Sequence, residues 1–148
     1  MERSKITIYT DGSCLGKKTG CPGGWAAILV HPQKELVIRG FDAATTNNRM
    51  ELTAVVQAVK CLNKPCEITI MTDSTYVMMT KEKWNRWSSR SQWKNKDLWM
   101  ELFAVAKDGK HKIRYQHIYG HTGEVYNERC DMIAKEQAEK ARKGLRHG

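Results

Sequence analysis

The order of sequence periodicities predicts an α/β fold, a mixed sheet with helices packed on its faces. Three observations carry this. Three apolar runs near the N-terminus are separated by turn-forming residues; helical and extended periods then alternate to the end of the chain; and two distant strands share the ending Thr-Asp.

Residues 5–10 set Ile6 and Ile8 against Thr7 and Tyr9, the alternation of a strand. The Gly- and Pro-rich stretch from Gly16 to Gly24 predicts a turn. Residues 25–30 and 35–41 predict two more strands joined by a short hairpin around His31-Pro32-Gln33-Lys34, and three consecutive strands make an antiparallel meander. From Asn47 the period changes. Val55, Ala58, Val59 and Leu62 recur at helical spacing until Asn63-Lys64-Pro65 ends the helix. A fourth strand is expected at 67–72, helices over 75–87 and 97–107, and a fifth strand over 112–119. A last helix from about 127 to 143 presents Cys130, Ala134, Gln137 and Ala141 on one face. No Ser/Gly linker or low-complexity tract divides the 148 residues, so a single domain is expected.

The longest apolar run, Trp25 to Val30, is far too short to span a bilayer, and the N-terminal residues lead into no signal segment; a cytoplasmic protein is expected. The cysteines at 14, 21, 61, 66 and 130 are odd in number and include no Cys-x-x-Cys pair, which favours free thiols over disulfides or structural zinc. The net charge of +9 is clustered, with Lys81, Lys83, Arg86, Arg90, Lys94 and Lys96 in one group and Lys135, Lys140, Arg142, Lys143 and Arg146 in another. Such surfaces attract polyanions, although ordinary solvated faces have the same composition.

An internal echo carries more weight. Ile6-Thr7-Ile8-Tyr9-Thr10-Asp11-Gly12-Ser13 is nearly repeated by Ile68-Thr69-Ile70-Met71-Thr72-Asp73-Ser74-Thr75. If the two strands lie parallel and adjacent, Asp11 and Asp73 stand about 5 Å apart at their C-terminal ends, close enough to share a divalent cation. The plainer alternative for either aspartate is an Asx turn at a strand end. Glu51 projects from the apolar stripe of its helix, where an acid is out of place unless it serves the helix dipole or ligates a metal. Asp131, expected in the first turn of the last helix, borders the buried face and has the same two readings. His121 lies in a glycine-flanked loop, Gly120-His121-Thr122-Gly123; it is either solvated surface or a proton carrier near metal-bound water.

The segments Thr10-Asp11-Gly12-Ser13-Cys14-Leu15-Gly16, Thr45-Thr46-Asn47-Asn48-Arg49-Met50-Glu51-Leu52, Thr72-Asp73-Ser74, Asp97-Leu98-Trp99, Gly120-His121-Thr122-Gly123 and Asn127-Glu128-Arg129-Cys130-Asp131 resemble, in order, the bacterial type 1 ribonucleases H. The resemblance implies a ribonuclease H-like five-stranded sheet in the order 3-2-1-4-5. It implies an endonuclease that hydrolyses the RNA strand of an RNA/DNA hybrid with two Mg²⁺ ions, Mn²⁺ being a possible substitute, to leave 5′-phosphate and 3′-hydroxyl ends. Asp11, Glu51, Asp73 and Asp131 would be its catalytic metal ligands and His121 its loop histidine. Cys14, Gly16 and Asn47, with Glu51, would face the RNA, Asn48 the bases or the DNA strand, and Thr46 with Asn85 or Arg86 a DNA phosphate. Trp84, Trp87 and Trp93, set among cations, would either support a strand or anchor the core.

Three positions depart from the family pattern. Ala44 stands where a basic residue is common, Thr75 where a glutamine is, and only Lys94-Asn95-Lys96 remains of a longer basic protrusion. A monomer needing no protein partner and no membrane is expected. The rivals are a DNA-cutting nuclease with the same sheet and acids, and a catalytically dead hybrid-binding module.

Overall fold

The computed structural model describes residues 3–16, 20–119 and 124–147. Its strands are β1 (Ser4–Cys14), β2 (Cys21–His31), β3 (Lys34–Thr45), β4 (Cys66–Thr72) and β5 (Lys112–His117), in the sheet order β3-β2-β1-β4-β5. β1, β2 and β3 pair antiparallel, whereas β4 and β5 join in parallel. The helices are α1 (Asn47–Lys60), α2 (Thr80–Asn85), α3 (Lys96–Asp108) and α4 (Val125–His147). Among the described residues no helix is long and apolar enough to cross a membrane.

Successive residues of β2 point to opposite faces and so sort the core into two layers. Ala27 and Leu29 pack with Ile8, Ile68 and Ile70 beneath α1 and α3, where Leu52, Val55, Val59, Trp99 and Leu102 are buried. Ala26 and Ile28 pack beneath α4 against Cys130 and Ala134. The two layers place α1 and α4 on opposite faces of the same strands.

The Gly16–Gly24 stretch is only partly the expected turn, because β2 begins at Cys21 and β1 runs on to Cys14. Gly23 pairs with Cys14 on one side and Asp42 on the other, and these long-range ladders override the local turn composition. The proline leaves its mark as a register shift between Cys21 and Gly23, as expected where a residue offers no amide donor to the ladder. Gly24 is required by packing: a Cβ there would lie 2.4 Å from the Ala134 carbonyl oxygen, so its absence lets α4 lie directly on β2.

The helix expected over 75–87 is broken into a 3₁₀ turn at Val77–Met79, α2, and a second 3₁₀ segment at Trp87–Gln92. Side chains compete for its backbone there: Ser74 Oγ accepts from the Val77 amide at 3.1 Å, and Thr80 Oγ1 donates to the Val77 carbonyl at 2.7 Å. The strand expected over 112–119 ends at His117, after which the Ile118 amide makes one more bond to the Thr72 carbonyl at 2.7 Å. The last helix starts earlier and ends later than expected.

Candidate active site and metal centre

The β1–β4 register pairs Ile6 with Ile68, Thr7 with Thr69 and Tyr9 with Met71. Asp11 and Asp73 each lie two residues further along, so the sequence echo becomes a spatial one. They stand just past the paired stretch of two parallel neighbours at the centre of the sheet, Asp11 within β1 and Asp73 directly after β4, where open α/β folds leave a crevice for ligands.

Gly12 brings the third acid in. A Cβ at Gly12 would lie 2.4 Å from the Glu51 amide nitrogen and 2.6 Å from the Met50 carbonyl carbon, so its absence lets the α1 backbone rest on β1. Glu51 is thereby buried, at 5 % exposure, beside Asp11, at 3 %. Asp11, Glu51 and Asp73 each offer a carboxylate oxygen, and these atoms lie within 4.8 Å of one another.

Asp131 approaches from the other face. It sits in the second turn of α4, not the first, because the helix begins at Val125. Cys130 anchors it there, its Sγ donating to the Tyr9 carbonyl at 3.4 Å. The Asp131 side chain is 46 % exposed, and its Oδ2 lies 2.9 Å from Lys135 Nζ.

The charges strain one another. Burial, then the charges of Asp73 and Asp131, pushes the Asp11 carboxyl up to about 8, against the amide of Gly12, which donates to Oδ1 at 2.9 Å. Burial, then Asp11 and Asp73, holds Glu51 well above the usual carboxylate range. Burial and Asp131 raise Asp73 too, opposed by a backbone hydrogen bond and by His117. Among the described residues, Asp11 Oδ2 and Glu51 Oε2 are buried without a hydrogen-bond partner. Clustered hard oxygens, mutual repulsion and unsatisfied lone pairs fit a divalent cation such as Mg²⁺.

His117 was not singled out in the sequence. Its Nε2 lies 3.2 Å from the Asp73 carbonyl oxygen and its ring meets Tyr119 edge-on, with centroids 4.6 Å apart. The only clue available was its register opposite Thr72 at the end of β5. His121, Thr122 and the glycines beside them lie outside the described residues.

Of the residues expected to meet substrate, Cys14 ends β1 half-buried, and Gly16 has φ 142° with Cys21 Sγ only 2.6 Å from where its Cβ would stand. Thr46 caps α1, its Oγ1 accepting from the Arg49 amide at 3.2 Å. Asn47 and Asn48 are exposed in the first turn of α1, ahead of Glu51 on the same helix. Trp84, Asn85 and Arg86 lie at the end of α2, which packs on α3. Trp84 is 51 % exposed and meets Phe103 edge-on at 5.1 Å, while Arg86 pairs with Glu82 at 3.4 Å. Trp93 is a core anchor in part, packed on the α1/α3 layer with Lys83 Nζ 5.1 Å from its ring centre. The cysteines are free thiols, as expected.

Comparison with known proteins agrees with this architecture. The RNase H family model matches residues 3–139. A ribonuclease H of Nitratidesulfovibrio vulgaris is 42% identical over 154 aligned positions, covering 98% of this chain and 95% of that protein. A ribonuclease HI of Caulobacter vibrioides is 44% identical over 140 positions, covering 89% and 91%. In fold, the chain is similar to LC9-RNase H1, a type 1 RNase H with the type 2 active-site motif, at a TM-score of 0.82 and 24% identity over 95% of this chain and 75% of that one. It is also similar to LC11-RNase H1, solved in complex with RNA/DNA hybrid, at a TM-score of 0.73 and 20% identity over 92% and 98%. With its five strands in the 3-2-1-4-5 order and its acids gathered at their ends, the chain belongs to the type 1 ribonuclease H family.

Proposed function

We propose that this chain, acting as one domain, hydrolyses the RNA strand of RNA/DNA hybrids with Mg²⁺ held by Asp11, Glu51, Asp73 and Asp131. The observation that carries the metal site is the set of three carboxylates within 4.8 Å, two of whose oxygens are buried and unpartnered. Family membership supplies the substrate class, and a member of the same fold has been solved with RNA/DNA hybrid.

Two bound Mg²⁺ ions would supply an activated water for in-line attack and neutralise charge at the leaving 3′-oxygen, leaving 5′-phosphate and 3′-hydroxyl ends. The Gly12 amide occupies Asp11 Oδ1 and leaves Oδ2 for ligation. Glu51 and Asp73 would hold one side of the site and Asp131, whose Oδ2 pairs with Lys135, the other. Four carboxylates would repel a phosphodiester, so the ions are needed for binding as well as chemistry, while the net charge of +9 draws the polyanion in. His121 serves proton transfer or product release.

Discrimination for RNA rests on 2′-hydroxyl contacts in the wide minor groove. Cys14, Gly16 and the exposed Asn47 form the RNA side, and Asn48, Thr46, Trp84, Asn85 and Arg86 the base and DNA-strand side. Mn²⁺ is a possible substitute for Mg²⁺, and the active unit is a monomer.

Cleavage of sequence-matched RNA/DNA, RNA/RNA and DNA/DNA duplexes in Mg²⁺, with an EDTA control, tests the assignment. Only the hybrid should be cut, in its RNA strand, and not in EDTA. DNA cutting with the hybrid left intact would make the chain a DNA nuclease on the same sheet. Hybrid binding without any cleavage would make it a binding module.

A further inference from the structure

A chain of polar contacts runs between the segments that carry Glu51 and Asp73. Arg49, two residues before Glu51, grips Asp97 at the start of α3 with two parallel bonds, Nη1 to Oδ1 at 3.0 Å and Nη2 to Oδ2 at 2.7 Å. The same Nη1 donates to Asn95 Oδ1 at 3.2 Å. Asn95, held in the left-handed region at φ 58°, turns its Nδ2 to the Tyr76 hydroxyl at 3.1 Å. That hydroxyl also accepts from the buried Trp99 Nε1 at 2.9 Å and donates to the Lys94 carbonyl at 3.4 Å. Tyr76 follows Asp73 by three residues. Its ring packs on Trp99 with centroids 5.4 Å apart.

Three carboxylates within 4.8 Å push one another apart, so an external frame has to hold them. The contact at Gly12 and the buried apolar face of α1 set how near and at what roll the helix lies on β1, but neither ties its N-terminal end to the segment after β4. A bidentate guanidinium–carboxylate pair resists roll because both planes must stay aligned. The Tyr76 hydroxyl, accepting two bonds and giving one, has its hydrogen-bonding capacity filled and fixes the segment beyond Asp73 to α3.

We propose that Arg49, Asp97, Asn95 and Tyr76 are positioning residues that set the separation of Glu51 from Asp73 and thereby the affinity for the divalent cation. The proposal rests on the metal-site reading above. The structure supplies a control: Lys60 and Glu101 pair at 3.2 Å and join the same two helices, but from the end of α1 remote from Glu51.

The test is calorimetric titration of Mg²⁺ into the substrate-free protein, with melting in EDTA alongside. Arg49→Lys and Tyr76→Phe should each weaken Mg²⁺ binding by about 10-fold or more, the scale of losing a partner that orients a metal ligand. Hybrid cleavage by both should recover toward the wild-type kcat as Mg²⁺ is raised. Glu101→Gln should leave Mg²⁺ affinity unchanged. Tyr76→Phe keeps the ring on Trp99 and so remains informative if Arg49→Lys does not fold. Wild-type affinity in both network variants, or equal weakening in Glu101→Gln, would overturn the proposal. A wild-type protein that binds no Mg²⁺ would instead remove the metal site itself.

Discussion

Glu51 and Asp131 reach the same two aspartates from opposite faces of one sheet, yet their surroundings contrast. Glu51 is 5 % exposed, has a buried oxygen with no partner, and carries a carboxyl pushed far up by burial and by Asp11. Asp131 is 46 % exposed at its side chain and has Lys135 2.9 Å away. Each is delivered by a helix pressed onto a glycine, Gly12 for α1 and Gly24 for α4. The same packing device thus produces two kinds of carboxylate. One is buried with an oxygen unpartnered among the described residues; the other is solvated and already paired with Lys135.

The largest separation of the two is expected in catalysis. Asp11→Asn and Glu51→Gln should lower hybrid cleavage at fixed Mg²⁺ by more than the roughly 10–100-fold typical of a residue one bond removed from a metal. Asp131→Asn should lose less than Glu51→Gln, measured as kcat/KM across a Mg²⁺ series; the reverse order would break the comparison. Asp73→Asn should abolish cleavage while hybrid binding, followed by filter retention or anisotropy, persists.

The glycines sharpen it through geometry. Gly12→Ala forces a Cβ into the Glu51 amide, and Gly24→Ala forces one into the Ala134 carbonyl, backbone atoms that can yield only by moving a helix. Each should cost about 1–3 kcal/mol or more in denaturant melts. Mg²⁺ affinity should fall further in Gly12→Ala, which displaces Glu51, than in Gly24→Ala, which displaces Asp131.

Metal-free stability comes next. Because the Asp11 carboxyl is raised to about 8 in the fold from about 3.9 unfolded, protonation favours the folded state. The stabilisation is complete below the unfolded value and is lost as pH rises through about 8. In EDTA the protein should therefore melt lower at pH 8 than at pH 5. Asp11→Asn should raise the unfolding free energy at pH 8 by on the order of 1–3 kcal/mol, and with it the melting point, and flatten the profile, while inactivating the enzyme. Saturating Mg²⁺ should recover the wild-type loss, by about 2.7 kcal/mol at a hundred times its Kd.

The smallest effect belongs to the exposed side. Lys135→Ala removes a solvated i,i+4 ion pair and should change stability by no more than about 1 kcal/mol, with a modest gain in Mg²⁺ affinity as Asp131 is freed. A loss of several kcal/mol in urea melts would mean that Asp131 is as dependent on its partner as Glu51 is on a cation.

Much of this arrangement was legible in the chain. Thr10-Asp11 and Thr72-Asp73 follow matching apolar alternations, and period 2 alone puts their carboxylates in equivalent positions. Glu51 was visible as an acid on an apolar helical stripe. Less visible were the features made by long-range contact. Gly23 and Gly24 read as turn residues because local composition contains no trace of the ladders on either side of β2 or of α4 resting on it. The Arg49–Asp97 bridge joins residues 48 apart, and nothing in either local pattern points to the other. The 3₁₀ turn at 77–79 falls where the hydroxyls of Ser74 and Thr80 both bond the backbone of Val77, a local contact that period alone does not reveal.

By itself the sequence determined the periods of the strands and of the long helices, the identity of the acids and the equivalence of Asp11 with Asp73, because these follow from residue spacing. Tertiary structure decided which acid is buried bare and which is solvated. That difference depends on how closely two helices approach opposite faces of the sheet and on where Lys135 lies along α4, and low-dielectric burial turns those few ångströms into the contrast between Glu51 and Asp131.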